Sequence, residues 1–173
     1  MATIAVLGTL DTKGAEHAYV AACIQASGHQ SLLIDVGTGG PPQVSPDITR
    51  EQIWAWAGAA RESFTGDRGR AVTAMSEAAP KALLQLWSQN QIAGVISLGG
   101  GGGTAIGTAA MRALPLGFPK IMVTTLAAGD TTAYLGAKDI VLIPSIVDVA
   151  GLNRISRRML NQAAGPVCGM VDA

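Results

Sequence analysis

Five consecutive glycines, Gly99 to Gly103, followed by Thr104, form the stretch of this chain best suited to hold a ligand. They follow a short apolar run, Gly94 to Leu98, and precede a small-residue segment, Thr104 to Leu114, that reads as a helix. Glycines at a strand-to-helix turn let backbone amides converge on an anion with no side chain in the way, and the helix N-terminus adds a partial positive charge. The chemistry this favours is the cradling of a phosphate. The stretch departs from two familiar phosphate motifs: no lysine follows as G-x-x-x-x-G-K-[ST] demands, and Ile106 stands where G-x-G-x-x-G requires its third glycine. A plain strand-to-helix turn is the competing reading of the same residues, so the other segments have to decide.

Two more loops carry groups that could face such an anion. In Gly8-Thr9-Leu10-Asp11-Thr12-Lys13-Gly14, Thr9 and Thr12 offer hydroxyls and Lys13 a point charge, while Asp11 beside a hydroxyl could hold Mg²⁺ through water. Asp11 suits an N-cap equally well. Lys13 in a first helical turn opposes the helix dipole, a mild cost that a bound anion offsets. In Ala127-Ala128-Gly129-Asp130-Thr131-Thr132, Asp130 fits either ribose hydroxyls and a metal-bound water or the cap of a helical turn. Asp35 sits where a dinucleotide enzyme places its ribose acid, although here the glycine-rich loop follows the third strand and not the first. Asp148, shortly before the last helix, reads most simply as an N-cap, and Arg154, Arg157 and Arg158 as a solvated or docking face of that helix.

These loops need elements to hold them. Apolar runs at Thr3 to Leu7, Ser31 to Val36, Gly94 to Leu98, Pro119 to Thr124 and Asp139 to Ile143 have the character of strands buried on both faces. Between them lie helical patterns: one ending near Ser27 with Gly28 as its stop, one begun by Asp47 to Glu51, one from Asp67 to Asn90, and a last from about Leu152 with Leu152, Ile155, Met159 and Ala163 as its stripe. The long helix contains Pro80. Its stripe of Val72, Met75, Ala79, Leu83, Leu86 and Trp87 keeps phase through the proline, which predicts one kinked helix. Trp54 and Trp56, two apart, cannot share a helix face, so one of them is expected to meet something outside the core. Strands alternating with helices call for an α/β fold, a Rossmann-like three-layer sandwich with a mainly parallel sheet of about five strands. In such sheets the loops at the carboxyl ends of the strands meet, and ligands bind where strand order reverses.

Composition narrows the function classes. At 173 residues the chain is about one domain, 49% hydrophobic and 14% charged, which argues for a buried core and against disorder. Twelve basic residues balance twelve acidic ones, so no net field favours nucleic acid or a membrane surface. No apolar run approaches the roughly 20 residues of a membrane span, and the first residues lack a basic signal region, so a cytoplasmic protein is expected. Cys23 and Cys168 form no C-x-x-C pair, and two histidines, His17 and His29, give little material for a zinc site or a Ser-His-Asp triad.

With these loops in hand, the chain resembles the N-terminal domain of the ATP-binding family named after the tomato mosaic virus resistance protein. The motifs that carry the likeness are Gly8 to Gly14, Gly99 to Thr104, Ala127 to Thr131, and Val147-Asp148-Val149-Ala150-Gly151-Leu152-Asn153-Arg154-Ile155-Ser156, in that order over essentially the whole chain. The resemblance implies ATP as ligand, Mg²⁺ admitted beside it, and homo-oligomers. Family members usually have a serine where this chain has Ala128, and they continue into a C-terminal domain that is expected as a partner. The residues expected to bind nucleotide are Gly8, Thr9, Asp11, Thr12, Lys13, Gly100, Gly101, Gly102, Gly103, Thr104, Gly129, Asp130 and Thr131. Two other roles stay open: an enzyme fragment of isomerase or ligase type acting on a phosphorylated small molecule, and a platform for oligomerisation.

Overall fold

The computed structural model describes residues 1–58, 67–145 and 151–173. Five strands, β1 (Thr3–Gly8), β2 (Gln30–Asp35), β3 (Gly94–Gly99), β4 (Lys120–Thr124) and β5 (Val141–Pro144), form one all-parallel sheet in the order β2-β1-β3-β4-β5. Every residue of β3 and β4 is buried, as the unbroken apolar runs predict for central strands covered on both faces. Among the described residues, six helices complete the fold: α1 (Leu10–Ala26), α2 (Arg50–Ala57), α3 (Arg68–Ser88), α4 (Gly101–Ala113), α5 (Thr132–Leu135) and α6 (Arg154–Asp172). This is the Rossmann-like α/β architecture expected.

Strand alternation divides the core in two. Ala5, Leu7, Val95 and Met122 face α2, α3 and α4, where Met75, Leu83, Leu86, Ile106 and Met111 pack. Ile4, Val6, Ile96, Leu98, Ile121 and Val123 face α1 and α6, against Val20, Ile24, Leu160 and Val167. Helix α1 therefore leaves β1 on one face of the sheet, and α4 leaves β3 on the other. Between those two neighbouring strands the order reverses, and a crevice opens at their carboxyl ends.

Several expectations hold and some shift. Helix α3 runs unbroken through Pro80, but Trp87 is 39% exposed, because the adjacent Leu86 takes the inward position one residue earlier. Trp54 is buried and Trp56, partly buried, packs against the same core. The last helix begins at Arg154, capped by Asn153, whose Oδ1 accepts from the amides of Ile155 and Ser156. That start turns Ser156, Leu160, Ala163, Ala164 and Val167 inward and leaves Ile155 65% exposed. Asp148 lies outside the described residues. Among them, no helix is long and apolar enough to cross a membrane.

Candidate anion-binding cleft

The first turn of α4 is where the glycine stretch ends up. Gly99 closes β3, Gly100 is the N-cap, and Gly101, Gly102 and Gly103 are the first three helical residues, so the helix starts three residues earlier than the sequence suggested. First-turn amides have no partner within their own helix, and without side chains they stand bare. The glycines have different reasons to be there. A Cβ on Gly99 would lie 2.8 Å from the backbone of Gly103, and one on Gly107 would lie 2.7 Å from Ser97 Oγ, so these two allow the helix to sit close on the sheet. A Cβ on Gly101 would meet nothing within 4 Å. No contact with the described residues demands glycine at Gly101; what it provides is an open approach to the amides.

Thr104 faces the other way. Its amide donates to the Gly100 carbonyl, and its hydroxyl lies 2.6 Å from that of Thr124, buried between α4 and β4. The expected contribution of Thr104 to a cradle is thus taken up by packing.

Opposite Gly101 to Gly103 stands the loop after β1. Thr9 precedes α1 without capping it through its side chain, and the amides of Thr12 and Lys13 donate to its carbonyl. Asp11 is not an N-cap either. Its Oδ2 accepts from the Gly39 amide at 2.7 Å, and its Oδ1 is buried with no hydrogen-bond partner among the described residues. At Lys13 the helix departs from helical geometry, with φ −132° and ψ 31°.

A cavity of about 620 Å³ lies between these segments, within the usual range for small-molecule sites. Its walls are Thr9, Asp11, Thr12 and Lys13 after β1; Thr38, Gly39 and Gly40 after β2; Asp67, Arg68, Ala71 and Val72 at the start of α3; and Gly100 to Gly103 with Ile106 on α4. The starts of α1, α3 and α4 all open into it, so three helix dipoles present their positive ends alongside Lys13 and Arg68. Asp67 is occupied in part as the cap of α3, accepting from the Arg70 amide at 2.9 Å.

The wall after β2 is held by a buried ion pair. Asp35 Oδ2 accepts from Arg50 Nε at 2.8 Å, and its Oδ1 from the amides of Gly37 and Leu10. Arg50 also donates to the carbonyls of Gly39 and Gly40. Asp35 is 1% exposed and already has three donors, so it braces the cleft instead of reading a ribose.

Of the residues expected at the site, the structure brings together Thr9, Asp11, Thr12, Lys13 and Gly100 to Gly103. Gly8, Thr104, Gly129, Asp130 and Thr131 are not among the described residues lining the cavity. Gly8 ends β1 against the His17 ring. Asp130 is exposed and closes a turn onto the Thr132 amide, and hydrogen bonding from the Thr132 hydroxyl first, then from that amide, holds its carboxyl below the usual carboxylate range. What motif reading missed is the contribution of α3. No strand-end motif marked it, since α3 follows α2 and not a strand.

An open parallel α/β domain of Rossmann-like architecture, with a polar cleft at its topological switch point, is the class of protein these features define. The chain belongs to the family described as "Uncharacterised protein family (UPF0261) N-terminal domain", whose model matches residues 2–173. A UPF0261 protein of Rhizobium meliloti is 47% identical over 174 residues, covering 99% of this chain and 43% of that protein. One from Clostridium tetani is 42% identical over 170 residues, covering 97% and 42%. The "ToMV susceptible protein tm-1(GCR26)" of Solanum lycopersicum is 42% identical over 108 residues, 62% of this chain and 14% of that one. The chain thus spans about two-fifths of the length of the bacterial relatives. Among solved structures, the MurG crystal structure from Acinetobacter baumannii matches with a TM-score of 0.49 and 16% identity over 88% of this chain and 44% of that one. The motifs pointing to a family likeness with the tomato protein are thereby supported; what the cleft holds is a separate question.

Proposed function

We propose that this domain binds a nucleotide through its phosphates, with ATP as the ligand. The observation that carries the reading is the pairing of bare amides at Gly101 to Gly103 with Lys13 across a cleft at the β1/β3 switch point. A polyphosphate satisfies the amides, meets the ammonium of Lys13 and the guanidinium of Arg68, and gains from the converging helix dipoles. Ala71, Val72 and Ile106 supply an apolar wall against which a base can lie. Mg²⁺ fits as an ion carried by the phosphates. The described residues contain no group of three or more His, Cys, Asp or Glu able to hold a metal alone, whereas Asp11 offers one carboxylate with an unpartnered oxygen. The remaining part of the longer family proteins is the natural partner domain, and homo-oligomers the natural assembly.

Titration calorimetry tests the reading. ATP should bind at least tenfold more tightly than inorganic phosphate or a sugar phosphate, with affinity that depends on Mg²⁺. Tighter binding of the sugar phosphate would instead favour a domain that acts on phosphorylated small molecules, and no binding of any of them would leave assembly as its role.

A further inference from the structure

We propose that His17 is the positioning residue of the β1–α1 loop, its imidazole bridging the two ends of the loop and thereby setting how Lys13 enters the cleft. This rests on the anion-binding reading above and adds to it a residue that does not touch the ligand.

His17 lies on α1, wholly buried, one turn beyond the non-helical Lys13. Its Nδ1 is 2.7 Å from the Lys13 carbonyl oxygen. A carbonyl only accepts, so in the neutral ring Nδ1 carries the hydrogen and donates it, and Nε2 is the bare nitrogen. The same ring presses on the other end of the loop, where a Cβ on Gly8 would fall 2.2 Å from both Cδ2 and Nε2. Strand β1 therefore ends on the face of a ring whose hydrogen bond fixes the point at which the chain re-enters the helix. Between those ends the segment is stiff, because the amides of Thr12 and Lys13 share the Thr9 carbonyl at 3.1 and 2.9 Å. A stiff segment held at both ends has one orientation, and the lysine at its exit inherits it.

Space-filling alone does not account for an imidazole here. Among the described residues Nε2 is buried with no hydrogen bond of normal geometry, the Leu7 backbone lending the ring only a weak attraction, a state that costs free energy and that a leucine would avoid. What leucine lacks is a donor for the kinked carbonyl. Asparagine, by contrast, places an amide nitrogen close to where Nδ1 stands.

The test compares wild type, His17→Leu and His17→Asn by calorimetry with inorganic tripolyphosphate and with ATP, alongside backbone NMR shifts of Gly8 and Lys13. His17→Leu should lose about tenfold in affinity and move both shifts, whereas His17→Asn should stay within about threefold of wild type with the shifts held. Equal affinities in the two variants overturn the proposal. If wild type binds neither anion, the nucleotide reading fails and the shifts alone judge the positioning role. Should His17→Leu not fold, the ring nitrogens of wild type decide: an Nδ1–H tautomer supports the bridge, and an Nε2–H tautomer overturns it.

Discussion

Thr9 Oγ1 stands 3.9 Å from the point that a Cβ on Gly103 would occupy. The loop after β1 and the first turn of α4, far apart in sequence, thus face each other across the switch point, and a Cβ on Gly103 would come only into ordinary van der Waals contact with the threonine. At Gly101, further out along that turn, the gap is open, and the two ends of the glycine stretch should respond differently to substitution. Gly101→Val should leave thermal stability within about 1 kcal/mol of wild type, since nothing lies within 4 Å and only helix propensity changes. It should reduce ATP affinity by about tenfold or more by covering the amides. Gly99→Ala should cost about 1–3 kcal/mol, because its Cβ overlaps the Gly103 backbone. Thermal unfolding read beside calorimetry separates the two, and a Gly101→Val protein that binds ATP as wild type does would remove the cradle from the mechanism.

The charges around the cleft make a second prediction. Lys13→Met and Arg68→Met should each weaken tripolyphosphate binding by about tenfold, and the loss should shrink in high salt, where exposed charges are screened. Asp11→Asn should act in the opposite direction. Removing a carboxylate beside the anion should tighten binding of the metal-free ligand while abolishing any gain from Mg²⁺. Titrations at low and high ionic strength, with Mg²⁺ or a chelator, check all three; an Asp11→Asn protein with its Mg²⁺ dependence intact would take Asp11 out of ion binding.

How much of this was legible beforehand depends on how far apart the interacting residues lie. The strands and their edge could be read because buried parallel strands are apolar throughout and glycine-rich loops mark their ends. The two facing loops followed, since alternating strands and helices put both at the same edge. Asp35 and Arg50 show where such reading stops. Asp35 has the position of a ribose acid, and only the structure reveals a guanidinium already on it from a helix that begins fifteen residues later. The same holds for Arg68, Ala71 and Val72, which reach the cleft only because α3 crosses the sheet. Gly129 to Thr131 looked like a third binding loop by composition. The chain spends its polar groups on closing a local turn, an outcome that a short Asp-Thr-Thr run permits as readily as ligand contact.

Arg50 makes a sharper test than its partner because it does two jobs. Arg50→Met strands a buried carboxylate and releases the carbonyls of Gly39 and Gly40, and should cost about 3–5 kcal/mol in urea unfolding. Arg50→Lys keeps the charge but not the fork that reaches three acceptors, so it should recover only part of that loss. Neither residue contacts the cavity as a liner, so ATP affinity should fall less than stability does. A Lys variant as stable as wild type would show that charge alone holds the wall.

Acid should reveal His17 before it reveals any carboxylate. Burial pushes the His17 imidazole down to about 4 from its ordinary 6.5; the Lys13 carbonyl, Glu16 and, least, the Leu7 backbone oppose the shift, and the Lys13 charge adds to it. Between those values the unfolded chain takes up a proton that the folded protein refuses, so unfolding becomes easier as pH falls. Stability attributable to the neutral ring is complete above about pH 6.5 and drains away down to about pH 4, a change on the order of 3 kcal/mol. Asp139, whose carboxyl is held below the usual range by Lys120 and by the Gly117 amide, contributes stability that is present above the ordinary carboxylate value and lost only at lower pH. Urea unfolding at several pH values between 7 and 4 should therefore slope downward in wild type, and His17→Asn should flatten that slope while leaving the acid limb below pH 4 in place. A wild-type profile that is flat from pH 7 to 4 would mean that the ring already carries its proton in the folded state.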